Sequence, residues 1–349
     1  MKVGSDKKKA QEIAKKAEAE IVSGRLNLNE VDQTTPQFKK YAEEVFARPH
    51  DRSAQTQETY KKNMEHHIYP SLGGKAIGDI KRKDIKSLYD KLVNGGMSPT
   101  NLGNIRAPLF LVFDNAVDDE IIERNPAVGI KLSTKSKKEI QPLTDQQAFD
   151  LLNELKTHRD GKYYPHILCL LRSGMRIGEL RGLRWEDLNF DERTVDVKRR
   201  IYKGEVGTPK NGKSRSIDLT PHLAQTLKDL RLERRKQCLK TGQPLVEWVF
   251  TGQNGRDPIG VNTIRTALRT CLKNIGLPMI RIHDLRHSYC TIRLARGHSI
   301  GDVSYQMGHS DIQITFNTYC HWLPSQFKRQ VDDLDSLPTD KTEREAQDV

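Results

Sequence analysis

The run from Arg281 to Trp322, RIHDLRHSYCTIRLARGHSIGDVSYQMGHSDIQITFNTYCHW, constrains the chain more than any other. His283 and Arg286 stand three apart, so helical spacing puts both side chains on one face of the first turns of a helix. Gly297 breaks that helix, a second short helix ends at Gly308, and His309 stands just past its end. Tyr319 comes ten residues later, beside apolar Ile312, Ile314 and Phe316. Any fold that accommodates this stretch is a compact helical unit presenting an imidazole, a guanidinium, a second imidazole and a phenol together.

Each residue taken alone has an ordinary structural explanation. HDLRH is by itself an amphipathic helix, a His near a helix end usually serves structure, and Tyr319 between Thr318 and Cys320 is a core aromatic. A metal chemistry also competes. His283 and His287 at i and i+4, with Asp284 after the first, look like a shortened relative of the HExxH zinc motif. Asp284 is one methylene too short for the usual base, Arg286 would set a cation beside the ion, and no third ligand is suitably spaced. No metal site is expected here.

The residues in order carry the argument further. SGMRIGEL at Ser173 to Leu180 and TPKNGKSRSIDL at Thr208 to Leu219 precede the His-x-x-Arg pair, the His after a Gly and the Tyr. Over roughly residues 36 to 330 the chain resembles the tyrosine recombinase (phage integrase) family. The resemblance implies a catalytic set of Arg176, Lys210, His283, Arg286, His309 and Tyr319, with Lys213 the competitor for the lysine role. It also implies a mainly α fold with a small β-sheet (α+β), in which a helical core-binding domain is joined to a catalytic domain.

The chemistry implied is transfer of a phosphodiester to a phenol. A phosphodiester carries a negative charge that repels nucleophiles. Arg176 and Arg286 each donate in bidentate fashion to non-bridging oxygens and stabilise the pentavalent transition state, a geometry that Lys does not reproduce. Tyr319 is the nucleophile, with a reference pKa of about 10. His283 is the expected base, His309 donates to the phosphate and Lys210 protonates the departing 5′ oxygen. Glu179 supports Arg176. The product is a 3′-phosphotyrosine with a free 5′ hydroxyl, so rejoining needs no ATP, metal or cofactor, and no P-loop or acidic metal cluster is visible in the sequence.

Charge agrees with a polyanion partner. The formal net charge is +12, and because residues 331–349 hold seven acids and two bases, residues 1–330 carry +17. Five cysteines without a CxxC pair argue against a disulfide framework or a zinc knuckle. No run approaches the ~20 apolar residues that span a bilayer, and the expected compartment is the cytoplasm of a bacterial host.

Five segments follow. Residues 1–35 are a basic N-terminal helix and linker, a remnant of an arm-binding region on the family resemblance. Residues 36–130 are helical throughout, with Phe38, Tyr41, Ala42, Val45 and Phe46 at helical spacing, a Ser98-Pro99 helix start and a kink expected at Pro108. They form the expected core-DNA-binding domain, with phosphate contacts from Lys61, Lys62, Lys81, Arg82 and Arg106. Residues 131–141 are a polar, basic linker. Residues 142–330 are the catalytic domain, opened by a Thr144–Gln147 capping box. Within it, strands are expected at Thr194–Val197, Ser214–Leu219 and Trp248–Thr251, the first two flanking a long basic tip. Helices are expected at Pro221–Cys238 and Val261–Ile275.

Residues 331–349 are an acidic tail whose Leu334 and Leu337 are spaced to pack on a neighbouring protomer. The expected partners are double-stranded DNA attachment sites, a homotetramer on DNA, and accessory DNA-bending or excision proteins. The expected function is site-specific integration or excision of a phage or other mobile element. A type IB topoisomerase-like enzyme and a catalytically inactive DNA-binding regulator are the alternatives.

Overall fold

The computed structural model describes Lys15 and residues 35–132, 141–209 and 212–319. The N-terminal helix apart from Lys15, most of the linker, Lys210 and the acidic tail lie outside the described residues. The chain divides into two units, Met1–Lys137 and Lys138–Val349.

The first unit is helical. It contains α1 (Phe38–Ala47), α2 (Ala54–Asn63), α3 (Tyr69–Leu72), α4 (Arg82–Asn94) and α5 (Pro99–Asp118), with a π-helical turn at Met64–Ile68 joining α2 to α3. Local chemistry sets the boundaries. Ser53 and Ser98 accept from the backbone N–H groups of Thr56 and Asn101, capping α2 and α5, and Pro99 occupies the first turn of α5, where its missing N–H costs nothing. Pro108 does not interrupt α5, which runs as one helix across it. The apolar faces of these helices meet in a core built around Phe38, Met64, Ile68, Leu109 and Phe113, with the Phe38 and Phe113 rings 5.3 Å apart. Tyr41 is buried in that core, yet its hydroxyl still donates to Asp119 at 2.6 Å, which satisfies the one polar atom the ring carries inward.

The second unit packs helices around a small antiparallel sheet. Its elements are α6 (Asp145–Thr157), α7 (Tyr164–Ser173), α8 (Ile177–Arg181), β1 (Leu188–Asn189), β2 (Thr194–Val197), β3 (Arg200–Tyr202), β4 (Glu205–Gly207) and β5 (Arg215–Asp218). Then come α9 (Pro221–Thr241), α10 (Val261–Asn274), α11 (Ile282–Ala295), α12 (Ile300–Met307) and α13 (Ile312–Tyr319). Thr144 and Gln147 form the capping box of α6, with reciprocal bonds of 3.2 and 3.0 Å.

The sheet has the order β1-β2-β5, and β2 pairs with β5 so that Val195 faces Ile217 and Val197 faces Arg215. Two expectations are corrected here. The segment between β2 and β5 is not only a tip, because β3 and β4 pair as a separate two-stranded hairpin. Trp248–Thr251 is not a strand: its end residues make single bridges, Arg184 to Trp248 and Thr251 to Pro258. The aromatic and β-branched residues there are read out as burial, with Val249 and Phe250 in the core, and no ladder extends from them.

Two helices organise this unit. In α7, Ile167, Leu168, Cys169, Leu170 and Leu171 are all buried, the pattern of a helix enclosed on every side. In α11, ten of fourteen residues are buried, among them Asp284 and Arg286. A guanidinium in the interior needs partners for its donors, and the surroundings of Arg286 locate the site.

Candidate active site

The turn after α7 places the first arginine. Gly174 caps α7 in the left-handed region at φ +64°, and a Cβ there would lie 2.4 Å from Cδ1 of Tyr289 on α11. Only glycine meets both conditions. The turn brings Arg176 to the start of α8, where its backbone N–H and its Nη1 both donate to the Glu179 carboxylate at 3.0 Å.

Arg286 is 3 % exposed, and its Nη1 donates to the carbonyl of Gly174 at 2.6 Å. Its Nη2 is buried and makes no hydrogen bond to the described residues. Burial, followed by the proximity of Arg176, lowers its pKa to about 9. A buried guanidinium with an unsatisfied donor beside a second guanidinium is a site prepared for an anion.

Gly308 ends α12 in the left-handed region at φ +67°, and its carbonyl accepts from Arg176 Nη2 at 3.3 Å. His309 follows at once. Its Nδ1 lies 2.7 Å from the hydroxyl of Thr315 on α13. When that hydroxyl donates, the ring proton sits on Nε2, which is then the ring's donor. Burial first, and then Arg286 and Arg176, push the imidazole pKa down to about 4, so it is neutral at ordinary pH.

Tyr319 is 1 % exposed at the end of α13, and its hydroxyl hydrogen-bonds Nδ1 of His287, one residue beyond Arg286. Burial, the leading cause, raises its pKa. The contacts therefore close a ring: Arg286 to Gly174, Arg176 to Gly308, His309 to Thr315 and Tyr319 to His287. His283 stands at the exposed edge, its ring perpendicular to that of His287 with centroids 5.0 Å apart.

Two further residues stand at the site without a motif to mark them. Arg215, 8 % exposed, donates from β5 to both carboxylate oxygens of Glu179, and its Nε donates to the Gln306 carbonyl at 2.9 Å. It thus ties the support of Arg176 to the end of α12. Strand alternation was the available signal, since Arg215 shares the face of Ile217. Burial alone would raise the Glu179 carboxyl pKa, but hydrogen bonding to Arg215 and the charges of Arg215 and Arg176 bring it below the ordinary value. His287, the other, is marked in the sequence only by its i, i+4 spacing from His283.

A cavity of about 220 Å³ opens beside the ring, lined in part by Arg176, Lys213, Arg215 and His309. Lys213 is thus at the cavity, while Lys210 lies outside the described residues. Elsewhere in this unit, Glu154, His158 and Cys271 bring one ligand atom each within 4.8 Å of one another. Glu154 is already held by Asn274 at 2.7 Å, and the Cys271 thiol pKa is pushed up to about 11 by burial and Glu154.

The five cations assigned to DNA phosphates lie on α2, at the start of α4 and on α5. Lys62 pairs with Glu58 at 2.9 Å within α2, and Lys61 with Glu65 of the following π-helical turn at 4.0 Å. Arg82 donates to the Gly129 carbonyl at 2.6 Å, Arg106 lies 4.4 Å from the Phe110 ring centroid, and Lys81 is exposed at the start of α4. Among the described residues no helix is long and apolar enough to cross a membrane.

Comparison with known proteins gives this geometry its context. Residues 141–326 match the phage integrase family, and residues 38–93 match the phage integrase N-terminal SAM-like domain. The chain is 30 % identical over 303 residues to a tyrosine recombinase XerC-like protein of Caldanaerobacter subterraneus, covering 80 % of this chain and 75 % of that one. It is 26 % identical over 297 residues to the transposase from transposon Tn916 of Enterococcus faecalis, covering 80 % and 73 %. Among solved structures, the Tn1549 transposon integrase in complex with transposon right end DNA superposes with a TM-score of 0.75 at 23 % identity, covering 86 % of this chain and 100 % of that chain. A lambda integrase tetramer bound to a Holliday junction superposes with a TM-score of 0.62 at 17 % identity, covering 89 % and 90 %.

Proposed function

The chain belongs to the phage integrase family of tyrosine recombinases, and from that premise we propose how its own residues break and rejoin DNA. It is a site-specific recombinase, an enzyme that cleaves a strand through a phosphotyrosine and passes the bond to another strand. Our reading is that Tyr319 attacks the scissile phosphorus, Arg176 and Arg286 hold the non-bridging oxygens, and His309 donates to one of them through Nε2. The observation that carries it is the buried, unsatisfied Nη2 of Arg286, set beside Arg176 and close to Tyr319. A phosphate bound there supplies the missing acceptor.

Lys210 is the acid for the departing 5′ oxygen on the family resemblance. Lys213 is a second candidate, favoured by its place in the lining of the cavity that Arg176 and His309 share. Substituting each lysine by alanine in turn, with a substrate whose leaving group needs no proton, separates them: the true acid is the one whose loss that substrate rescues.

The substrate is double-stranded DNA carrying attachment sites of a phage or other mobile element, recombined in the cytoplasm of a bacterial host. Assembly is proposed as a tetramer on paired sites, the form in which the lambda integrase was solved on a Holliday junction. A plasmid bearing two copies of the repeats that flank the reading frame, incubated with the protein in EDTA, should yield recombinant circles. Relaxed plasmid without recombinants would favour a topoisomerase instead, and unchanged plasmid an inactive DNA-binding protein.

A further inference from the structure

The phenol of Tyr319 meets an imidazole that the family resemblance assigns no role. Its hydroxyl hydrogen-bonds Nδ1 of His287, and the two rings lie 5.6 Å apart between centroids, tilted by 50°. His287 sits on α11 in the same turn as Arg286, so one rigid helix presents both a phosphate ligand and the ring that touches the nucleophile. His283 stands behind it, edge to face, as a buttress. We propose that His287, not His283, is the base that takes the phenolic proton of Tyr319 during strand cleavage.

The physical need is clear from burial. Tyr319 is enclosed, which disfavours a free phenolate, so its proton has to leave as the new bond forms and needs an acceptor already in contact. His287 is such an acceptor. Burial, the leading cause, lowers its pKa, with Arg281 and Arg286 acting in the same direction and Asp284 opposing, so the ring is neutral and free to take a proton. For Nδ1 to accept, the neutral ring carries its own proton on Nε2.

The step balances without an added reactant. The Tyr319 Oη–P bond forms while the P–O5′ bond breaks. The phenolic proton passes to His287 Nδ1, and the 5′ oxygen takes a proton from whichever of Lys210 and Lys213 is the acid. In rejoining, the incoming 5′ hydroxyl returns its proton to that acid, and His287 returns the other to the departing phenol oxygen.

This inference rests on Tyr319 being the nucleophile, so the experiment measures that first. The full chain is mixed with a nicked duplex carrying the flanking repeat, and the SDS-resistant adduct is followed with and without Tyr319→Phe. An adduct that survives Tyr319→Phe overturns both the nucleophile and this proposal. With the nucleophile established, His287→Gln keeps a hydrogen-bond acceptor beside the phenol but cannot take up its proton. His287→Gln and His287→Ala should both bind the duplex normally in a gel shift and cleave about a hundredfold or more slowly. Replacing Tyr319 with 3,5-difluorotyrosine, a more acidic phenol, should recover most of the loss in His287→Gln. Cleavage by His287→Gln at the unsubstituted rate would overturn the proposal. So would an equal defect in both phenol backgrounds, which would leave His287 a positioning residue.

Discussion

Arg215 grips Glu179 with both ends of its guanidinium, Nη2 to Oε2 at 2.7 Å and Nη1 to Oε1 at 3.2 Å, inside a unit where both side chains are almost fully buried. The same carboxylate holds Arg176, and the same guanidinium holds the carbonyl of Gln306 near the end of α12. Arg215 thereby links β5 both to the support of Arg176 and to the end of α12, next to His309.

Arg215→Ala is expected to leave a buried carboxylate with only Arg176 for support. Removing one partner of a buried pair costs about 3–5 kcal/mol. All three tryptophans, Trp185, Trp248 and Trp322, belong to the second unit, so tryptophan fluorescence during urea unfolding reports this loss without interference from the first. A midpoint unchanged by the substitution would show that the pair contributes nothing to the fold.

The same pair predicts acid sensitivity. The carboxyl of Glu179 titrates lower in the folded chain than in the unfolded one, where its pKa is about 4.3. Its stabilising contribution is thus complete above that value and is lost as pH falls through the folded value. Melting temperatures of the second unit should decline below about pH 4.3, and Glu179→Gln should flatten that decline. Equal slopes for the two proteins would remove Glu179 from the explanation.

Gly174→Ala combines a left-handed backbone with a Cβ 2.4 Å from the Tyr289 ring. Strain of this kind costs about 1–3 kcal/mol. The substitution should also displace the carbonyl that anchors Arg286, so strand cleavage is expected to fall even at temperatures where the protein stays folded. A folded Gly174→Ala protein with undiminished cleavage would show that the anchor is dispensable.

Arg286→Lys preserves charge but loses the fork that reaches Gly174 and, on the proposed mechanism, a phosphate oxygen as well. Loss of one preorganised donor to a transition state typically costs about 10²–10³ in rate. The expectation is a fall of that order in single-turnover cleavage with duplex affinity kept in a gel shift. A drop in affinity alone would mean that Arg286 binds ground state and transition state equally.

How much of this was legible in the sequence varies with the range of the interaction. Arg176, His283, Arg286, His309 and Tyr319 fall in recognisable order because each sits at a local landmark, a Gly turn or one end of a helix. The capping box at Thr144 and the glycine at 174 were equally local. Arg215 and His287 were not, because their roles come from partners on other elements, Glu179 and Gln306 for one and Tyr319 for the other. The β3–β4 hairpin was obscured by Gly204, Gly207 and Pro209, which resemble an open tip when read one by one. At Trp248–Thr251, strand-forming side chains marked burial and not pairing, since ladder formation depends on a neighbour that sequence does not display.

On the proposed mechanism Tyr319 becomes the covalent carrier of the DNA strand. The direct measurement is mass spectrometry of the adduct trapped on a nicked attachment-site duplex in EDTA, after nuclease and protease digestion. A nucleotide remnant joined through its 3′ phosphate to the peptide bearing Tyr319, and absent from the Tyr319→Phe protein, is the predicted result. A remnant on any other residue, or one attached through a 5′ phosphate, would contradict the account.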